Sequence, residues 1–175
     1  MDCSTTCVNV AIQDAGVMVD LSRAGIVQEA FSLPVTYFTA ESVFDDLQPK
    51  HRNEYTPYIQ TTQLRSVPMD AAMFATIAAY QPGNPQLSEH DLSVFHIAKT
   101  GNLPILASCA TLRLHMRSLG VEVSSTYWVI DSLVETGIVS VSHAGTLLEQ
   151  LATANPRLAP QEYVHRRKMW VPEPI

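Results

Sequence analysis

The sequence predicts an α/β fold in which a mostly parallel sheet is flanked by helices. Short apolar segments, several rich in β-branched residues, alternate with segments of helical periodicity along the chain. These apolar segments lack the half-exposed alternation that is typical of antiparallel hairpins. The chain has 175 residues, of which 46% are hydrophobic, enough for one buried core. We therefore expect a single domain over residues 1–175.

The first 47 residues contain two predicted strand–helix units. The first strand lacks charged residues, as expected for a strand that is buried on both faces, and Asp14 follows it. Gly25 is placed to divide the following helical run into two short helices. The predicted elements are a strand over Cys7–Ile12, helical segments within Ala15–Phe31, a strand in the VTYFT segment after Pro34, and a helix over Glu41–Leu47 that Thr39 can cap.

The segment QPKHRNEYTPYIQTT, Gln48–Thr62, interrupts this alternation. It is polar and contains two prolines, which favour a connection over a regular element. We expect a loop here, with or without a short edge strand, that leads into a strand at Leu64–Val67.

Strands and helices alternate again in the second half of the chain. The predicted elements are helices over Asp70–Tyr80 and Ser88–Gly101, a strand over Leu103–Ala107, a helix over Ala110–Leu119, a strand over Val121–Ser124, and helices over Tyr127–Thr136, Ser142–Ala154 and Gln161–Met169. Ser142 is expected to cap its helix. No linker precedes Tyr127, so we expect the last helices to pack on the sheet, with a C-terminal helical extension at about 141–170.

Composition limits the functions that this chain can have. Its net charge is −6 and its pI is near 5.4, which argues against binding duplex DNA on a broad basic face. An acidic, metal-filled pocket that acts on nucleic acid remains compatible with this charge. The cysteines, Cys3, Cys7 and Cys109, form no C-x-x-C pair, so neither a disulfide framework nor a zinc knuckle is indicated. The sequence shows no signal-peptide pattern and no apolar run of membrane-spanning length, so we expect a cytoplasmic protein without membrane contact.

Three carboxylates are candidates for chemistry, because ligands of parallel α/β sheets bind beyond the carboxyl ends of the strands. Asp14 follows the first strand, Asp46 lies late in the helix after the second, and Asp91 lies in the first turn of a later helix. Structural roles are open for two of them, since Asp14 can cap a helix and Asp91 can form a capping box with Ser88. Asp46 lies beside Asp45 near a helix C-terminus, where the helix dipole disfavours a carboxylate.

Two long segments resemble PIN-domain proteins in the order and spacing of their residues. In IQDAGVMVDLSRAGIVQEAF and PVTYFTAESVFDDL, a strand ends in Asp, a helix contains a Leu-x-x-x-Gly run and the next unit ends in Val-x-x-acid-Leu. In LSEHDLSVFHIAKTGNLPILASCATLRLHMRSLGVEVSSTYWVIDSLVETGIVS, an acid opens a helix, an Arg-bearing helix precedes a Gly-hydrophobic-x-Val strand, and a Thr-aromatic segment leads to a Leu-Val-x-x-Gly-Ile helix. The resemblance covers roughly Val8–Trp170.

This resemblance implies a fold and an activity. PIN domains are typically Mg²⁺- or Mn²⁺-dependent ribonucleases, and many are toxins of bacterial toxin–antitoxin pairs. The resemblance implies a three-layer α/β/α domain with a mostly parallel sheet and extra C-terminal helices. It places Asp14, Asp46 and Asp91 on three of the four usual acidic positions, where they would hold the metal ion and catalyse RNA hydrolysis. The implied partners are single-stranded RNA, an antitoxin-like protein, and a second copy in a homodimer.

The chain departs from the family after its fourth predicted strand. There it has Ala107-Ser108-Cys109, with Cys109 in place of the usual Asp. A neutral thiol is a poor ligand for Mg²⁺, and Ser108 can at most coordinate the ion or orient a water. Two functions therefore stay open: a weakened endoribonuclease, and a catalytically inactive PIN-like module that binds nucleic acid or protein. A nucleotide-binding domain is not indicated, because the sequence lacks a glycine-rich phosphate loop.

Two further polar residues accompany the acids. His90, beside Asp91, is either a proton shuttle near neutral pH or a solvent-facing residue of a first helical turn. Arg113 lies where the family often has an arginine. It either directs its charge at a phosphate or has an ordinary surface or ion-pair role.

The segment YVHRRKMW, Tyr163–Trp170, combines basic and aromatic residues. Arg166, Arg167 and Lys168 are candidate contacts for RNA. The alternative is a solvated C-terminal helix in which Trp170 docks on the core.

Overall fold

The computed structural model describes residues 8–12, 15–156 and 158–171, and in these residues five strands form one parallel sheet. The strands are β1 (Val8–Ile12), β2 (Val35–Ala40), β3 (Leu64–Val67), β4 (Ile105–Leu106) and β5 (Val123–Ser124). Their order is β3-β2-β1-β4-β5, with Val10 opposite Tyr37 and Ala11 opposite Ile105. The prediction of an α/β fold with a parallel sheet is confirmed.

The central position of β1 determines where a ligand can bind. The chain moves outward to β2 and β3 on one side of β1, and later to β4 and β5 on the other. In open parallel sheets the crevice lies at this reversal, beyond the carboxyl ends of the strands. The carboxyl ends of β1 and β4 therefore border the expected crevice.

Helices connect the strands, and the first two meet at a glycine. They are α1 (Ala15–Ala24), α2 (Val27–Ala30), α3 (Glu41–Asp45), α4 (Pro49–Gln60), α5 (Ala71–Tyr80), α6 (Glu89–Gly101), α7 (Ala110–Ser118), α8 (Trp128–Glu135), α9 (Val141–Ala154) and α10 (Pro160–Trp170), with a 3₁₀ turn at Gln81–Gly83. Gly25 separates α1 from α2 with a φ of 70°, a conformation that side chains disfavour. None of the described helices is both long and apolar enough to cross a membrane.

The buried strand residues belong to two hydrophobic clusters. Tyr37 of β2 and Leu106 of β4 belong to a cluster with residues of α1, α8 and α9. Ala40 of β2 and Ile105 of β4 belong to a second cluster with residues of α6. Successive strand side chains point to opposite faces of a sheet, so both faces of these strands are buried. This burial explains why the strand sequences are apolar throughout.

The C-terminal helices pack on the rest of the protein. α9 contacts α1 and α8, and α10 contacts α9. Trp170 is 7% exposed and belongs to the same cluster as Val10 and Leu147. Gly145 permits this close packing, because a Cβ atom there would lie 3.1 Å from the carbonyl oxygen of Trp170. Trp170 therefore packs on the core, as in the second interpretation of the YVHRRKMW segment, a C-terminal helix with a docked Trp170.

The prediction of a loop or edge strand at Gln48–Thr62 is wrong, since most of this segment forms α4. Pro49 occupies the first turn of the helix, where its missing N–H leaves no hydrogen bond unmade. His51 and Tyr55, four residues apart, are buried on one face of α4. The hydroxyl of Tyr55 donates to the carbonyl oxygen of Met18 at 2.6 Å. Contacts with α1 thus stabilise a helix whose composition is polar.

Two predicted helix caps are also wrong. Ala40, not Thr39, precedes α3, and the buried Thr39 Oγ1 has no hydrogen-bond partner within the described residues. Ser140, not Ser142, caps α9, and its Oγ accepts a hydrogen bond from the N–H of His143 at 3.2 Å. α9 therefore begins one residue earlier than predicted. The strands β4 and β5 are shorter than predicted, at two residues each.

Candidate functional site

The structure brings one predicted acid, Asp46, to the first turn of α6. Asp46 directly follows α3, and its Oδ2 atom lies 3.4 Å from Nε2 of His90. The Asp46 side chain is 65% exposed, and that of His90 is 38% exposed. α6 precedes β4, so its first turn lies near the carboxyl ends of the strands. Asp91 is in this same turn, whereas Asp14 lies outside the described residues.

Asp91 forms the capping box that its spacing from Ser88 predicts. Its Oδ2 accepts a hydrogen bond from the N–H of Ser88 at 2.8 Å, and Ser88 Oγ accepts one from the N–H of Asp91 at 3.1 Å. The cap orients the side chain and engages one carboxylate oxygen. A carboxylate has acceptor sites for several partners, so the cap is compatible with a second role as a ligand.

The loop after β4 supplies no carboxylate. Cys109 precedes α7 as an exposed free thiol that makes no side-chain cap. Across residues 8–12, 15–156 and 158–171, no group of three His, Cys, Asp or Glu side chains could hold a metal ion. The three-acid site that the resemblance implies also includes Asp14, which lies outside these residues. The donor chemistry fits a divalent ion, because hard cations prefer carboxylate oxygens.

Arg113 is buried beneath the same loop. Its side chain is 4% exposed, and Nη1 donates to the carbonyl oxygens of Ala107 and Ser108, each at 3.0 Å. Nη2 donates to Oε1 of Glu162 at 2.8 Å. The guanidinium thus joins the loop after β4 to α10. Arg113 therefore forms an ion pair, which is one of the two roles that the sequence left open for it.

Glu162 is a site residue that the sequence did not single out. In addition to Arg113, its carboxylate accepts hydrogen bonds from the hydroxyl of Ser125 and, at 3.4 Å, from Nη1 of Arg166. Ser125 directly follows β5, so this carboxylate lies at the carboxyl ends of β4 and β5. The four-residue spacing to Arg166 is a local signal for an ion pair. The contact with Arg113 joins residues 49 positions apart, and nothing in the local sequence indicates it.

Arg166 is committed to partners within the protein. Nε and Nη2 donate to the two oxygens of Asp131, at 2.8 and 2.5 Å. The guanidinium lies over the ring of Tyr127, 5.1 Å from its centroid. Burial lowers the pKa of Arg166, but the hydrogen bond and charge of Asp131, together with Glu162, raise it more. Arg166 is therefore a charged structural partner with little exposed surface.

The neighbouring basic residues are more accessible. Arg167 is exposed, and its Nε lies 3.6 Å from Oε1 of Glu149. Lys168 is exposed on the same helix. Of the three predicted RNA contacts, Arg167 and Lys168 are thus the ones whose side chains face solvent.

No protein-family model matches this sequence, and no curated protein matches it. The site consists of two parts at the carboxyl edge of the sheet. In the first part, Asp46, which follows α3, lies beside His90 in the first turn of α6, and Asp91 is in the same turn. Arg113 and Glu162 lie between the loop after β4 and α10.

Proposed function

We propose that this protein is a PIN-like endoribonuclease that hydrolyses RNA phosphodiester bonds with the help of Mg²⁺ or Mn²⁺. The observation that carries the proposal is the contact of Asp46 with His90, in the turn that also contains Asp91, at the carboxyl edge of a parallel sheet. The strand order and the two hydrophobic clusters support the three-layer α/β/α arrangement that the resemblance to PIN domains implies.

Each residue has a distinct role in this proposal. Asp14, Asp46 and Asp91 would hold the ion through carboxylate oxygens. When bound, such an ion activates a water and neutralises charge on the phosphodiester. The high exposure of Asp46 leaves its carboxylate open to an ion from solvent. His90 contacts that carboxylate and orients it.

A second candidate is a catalytically inactive PIN-like module that binds RNA or a protein partner. The exposed Cys109 favours it, because a thiol, which is a poor ligand for Mg²⁺, stands in place of the usual fourth acid. The partner would be single-stranded RNA, an antitoxin-like protein or a second copy of the chain. This candidate needs no metal ion at Asp46.

Titration of Mn²⁺ into matched variants separates the two candidates. We expect the wild type to bind Mn²⁺ weakly and Asp46→Asn to lose this binding, while Asp45→Asn, an exposed neighbour, retains it. Cys109→Asp adds a hard ligand, so it should bind the ion more tightly and cleave labelled single-stranded RNA faster. Asp14→Asn should abolish this gain. If neither the wild type nor Cys109→Asp binds Mn²⁺ at about millimolar concentration, the inactive module replaces the nuclease.

A further inference from the structure

We propose that Arg113, Ser125 and Arg166 form a binding site for a phosphate group, and that the carboxylate of Glu162 occupies this site in the present structure. The site lies at the carboxyl ends of β4 and β5. The inference deepens the proposed nuclease function by naming where a phosphate of the RNA backbone binds. It rests on that function for the identity of the RNA, but not for the existence of the anion site.

The surroundings of Glu162 are those of a bound anion. Its Oε1 accepts from Nη2 of Arg113 at 2.8 Å, and its Oε2 accepts from the hydroxyl of Ser125. Arg166 Nη1 lies 3.4 Å from Oε2. The Arg113 side chain is 4% exposed, and Ser125 is also 4% exposed, so two of the donors are built into the protein. Such a set of guanidinium and hydroxyl donors is the set that binds phosphate oxygens.

The charges around this site balance only while Glu162 is present. Arg166 is paired with Asp131 through two hydrogen bonds. Arg113 donates otherwise to the neutral carbonyl groups of Ala107 and Ser108, so Glu162 is its anionic partner. Without the carboxylate, one buried positive charge would remain, and a buried unpaired charge is costly. A phosphodiester carries the single negative charge that replaces it.

Glu162 can leave the site without a movement of α10. Its side chain is 33% exposed, so rotation about its own bonds brings the carboxylate into solvent. Trp170, at the other end of α10, keeps the helix docked on the core. The exchange of Glu162 for a phosphate is therefore a side-chain rearrangement, and the exposed Arg167 and Lys168 on α10 favour the approach of a polyanion.

The test uses Glu162→Ala, which empties the site, and inorganic phosphate as the probe. We expect phosphate, at about ten times its Kd for the variant, to raise the Tm of Glu162→Ala by about 3 °C at constant ionic strength, and to raise that of the wild type less because Glu162 competes for the site. Glu149→Ala, which removes the exposed carboxylate near Arg167, is the matched control and should respond as the wild type does. Arg113→Met in the Glu162→Ala background should abolish the response.

A second variant covers the case in which Glu162→Ala does not fold. Glu162→Gln keeps the side-chain shape and removes the charge, so phosphate should stabilise it as well. A Tm that does not respond to phosphate in either variant overturns the site, as does a response that persists without Arg113.

RNA binding identifies the source of the phosphate. We expect single-stranded RNA to bind Glu162→Gln at least threefold more tightly than the wild type, by fluorescence anisotropy without divalent ions. A phosphate response without any change in RNA affinity would overturn the assignment to RNA and leave a site for free phosphate. Neither measurement needs bound metal or cleavage, so failure of the nuclease proposal and failure of this site give different results.

Discussion

At the scale of single residues, Arg113 connects parts of the chain that are distant in sequence. It contacts the carbonyl groups after β4 and the carboxylate of Glu162 on α10. Arg117, about one turn further along the same helix, is exposed and donates to the carbonyl oxygen of Val123. The two arginines thus differ in burial and in the charge of their partner. They form a matched pair for measuring the contribution of the buried group.

We expect Arg113→Met to lower the free energy of unfolding by about 3 kcal/mol, because the carbonyl oxygens of Ala107 and Ser108 lose their buried donor and Glu162 loses its ion pair. Arg117→Met should cost about 1 kcal/mol or less, since its side chain is solvated. Urea unfolding of both variants checks this. Equal losses for the two variants would contradict the buried ion pair.

The residues also show which parts of the site the sequence could predict. The capping box of Ser88 and Asp91 depends on atoms three residues apart, so local spacing was sufficient to predict it. The role of Glu162 depends on Arg113, 49 residues away, and on Ser125, 37 residues away. Such contacts follow from the tertiary structure and have no local pattern.

At the scale of elements, the start of α9 distinguishes two serines that the sequence presents alike. Ser140 Oγ accepts a hydrogen bond from the N–H of His143, which is otherwise unpaired at the start of a helix. Ser142 is exposed within the first turn. The sequence pattern favoured Ser142, because it cannot resolve a helix boundary to one or two residues.

We therefore expect Ser140→Ala to lower the free energy of unfolding by about 1 kcal/mol, the usual cost of losing a cap. Ser142→Ala should change it by less than about 0.5 kcal/mol, since alanine is a better helix former and no cap is lost. Thermal unfolding of the two variants in parallel checks this. A larger loss for Ser142→Ala would place the cap where the sequence pattern did.

The helix α4 shows why local composition failed for one element. Its residues are polar and include Pro57, which local propensity disfavours within a helix. Two contacts with α1 stabilise it: His51 Nδ1 lies 2.7 Å from Ser22 Oγ, and the Tyr55 hydroxyl donates to Met18. Both partners lie more than 25 residues away in sequence. Tertiary packing outweighs propensity here, as it often does.

At the scale of the whole molecule, buried tyrosines make stability sensitive to alkaline pH. Burial is the largest cause that raises the pKa of Tyr37 and Tyr55, and it raises the pKa of Tyr127, with the charge of Glu162, to about 12. Unfolded tyrosine ionises near pH 10. The folded state therefore retains these protons after the unfolded state has lost them, and stability is lost as pH rises above 10.

Ionisation of these tyrosines should leave the Tm nearly unchanged from about pH 8 to pH 9.5, and should lower it from about pH 10 to pH 12. Each such tyrosine contributes a slope of about 1.4 kcal/mol per pH unit in this range. Tyr127→Phe should make the fall less steep, because it removes one of the groups. An alkaline fall of unchanged steepness in Tyr127→Phe would show that Tyr127 does not contribute.

The overall architecture follows from the sequence more fully than the site does. Apolar segments that alternate with helical segments predicted the α/β class and the positions of the strands. Such segments are recognisable because a strand that is buried on both faces has apolar residues throughout. The order of the strands is determined by long-range pairing, which periodicity does not encode. The site depends on a tertiary contact as well. Asp46, which follows α3, and His90, at the start of α6, are 44 residues apart in the sequence, and β3 lies between them in the chain.

The most direct test of the nuclease proposal is the anomalous scattering of Mn²⁺ soaked into crystals of the wild-type protein. The proposal predicts a peak at the carboxyl edge of the sheet, within about 2.0 to 2.6 Å of carboxylate oxygens from Asp46, Asp91 and Asp14. Crystals of Asp46→Asn should lose the peak, and crystals of Asp45→Asn should retain it. A well-diffracting Mn²⁺-soaked crystal with no peak among these three carboxylates would contradict the proposed metal site and with it the nuclease activity.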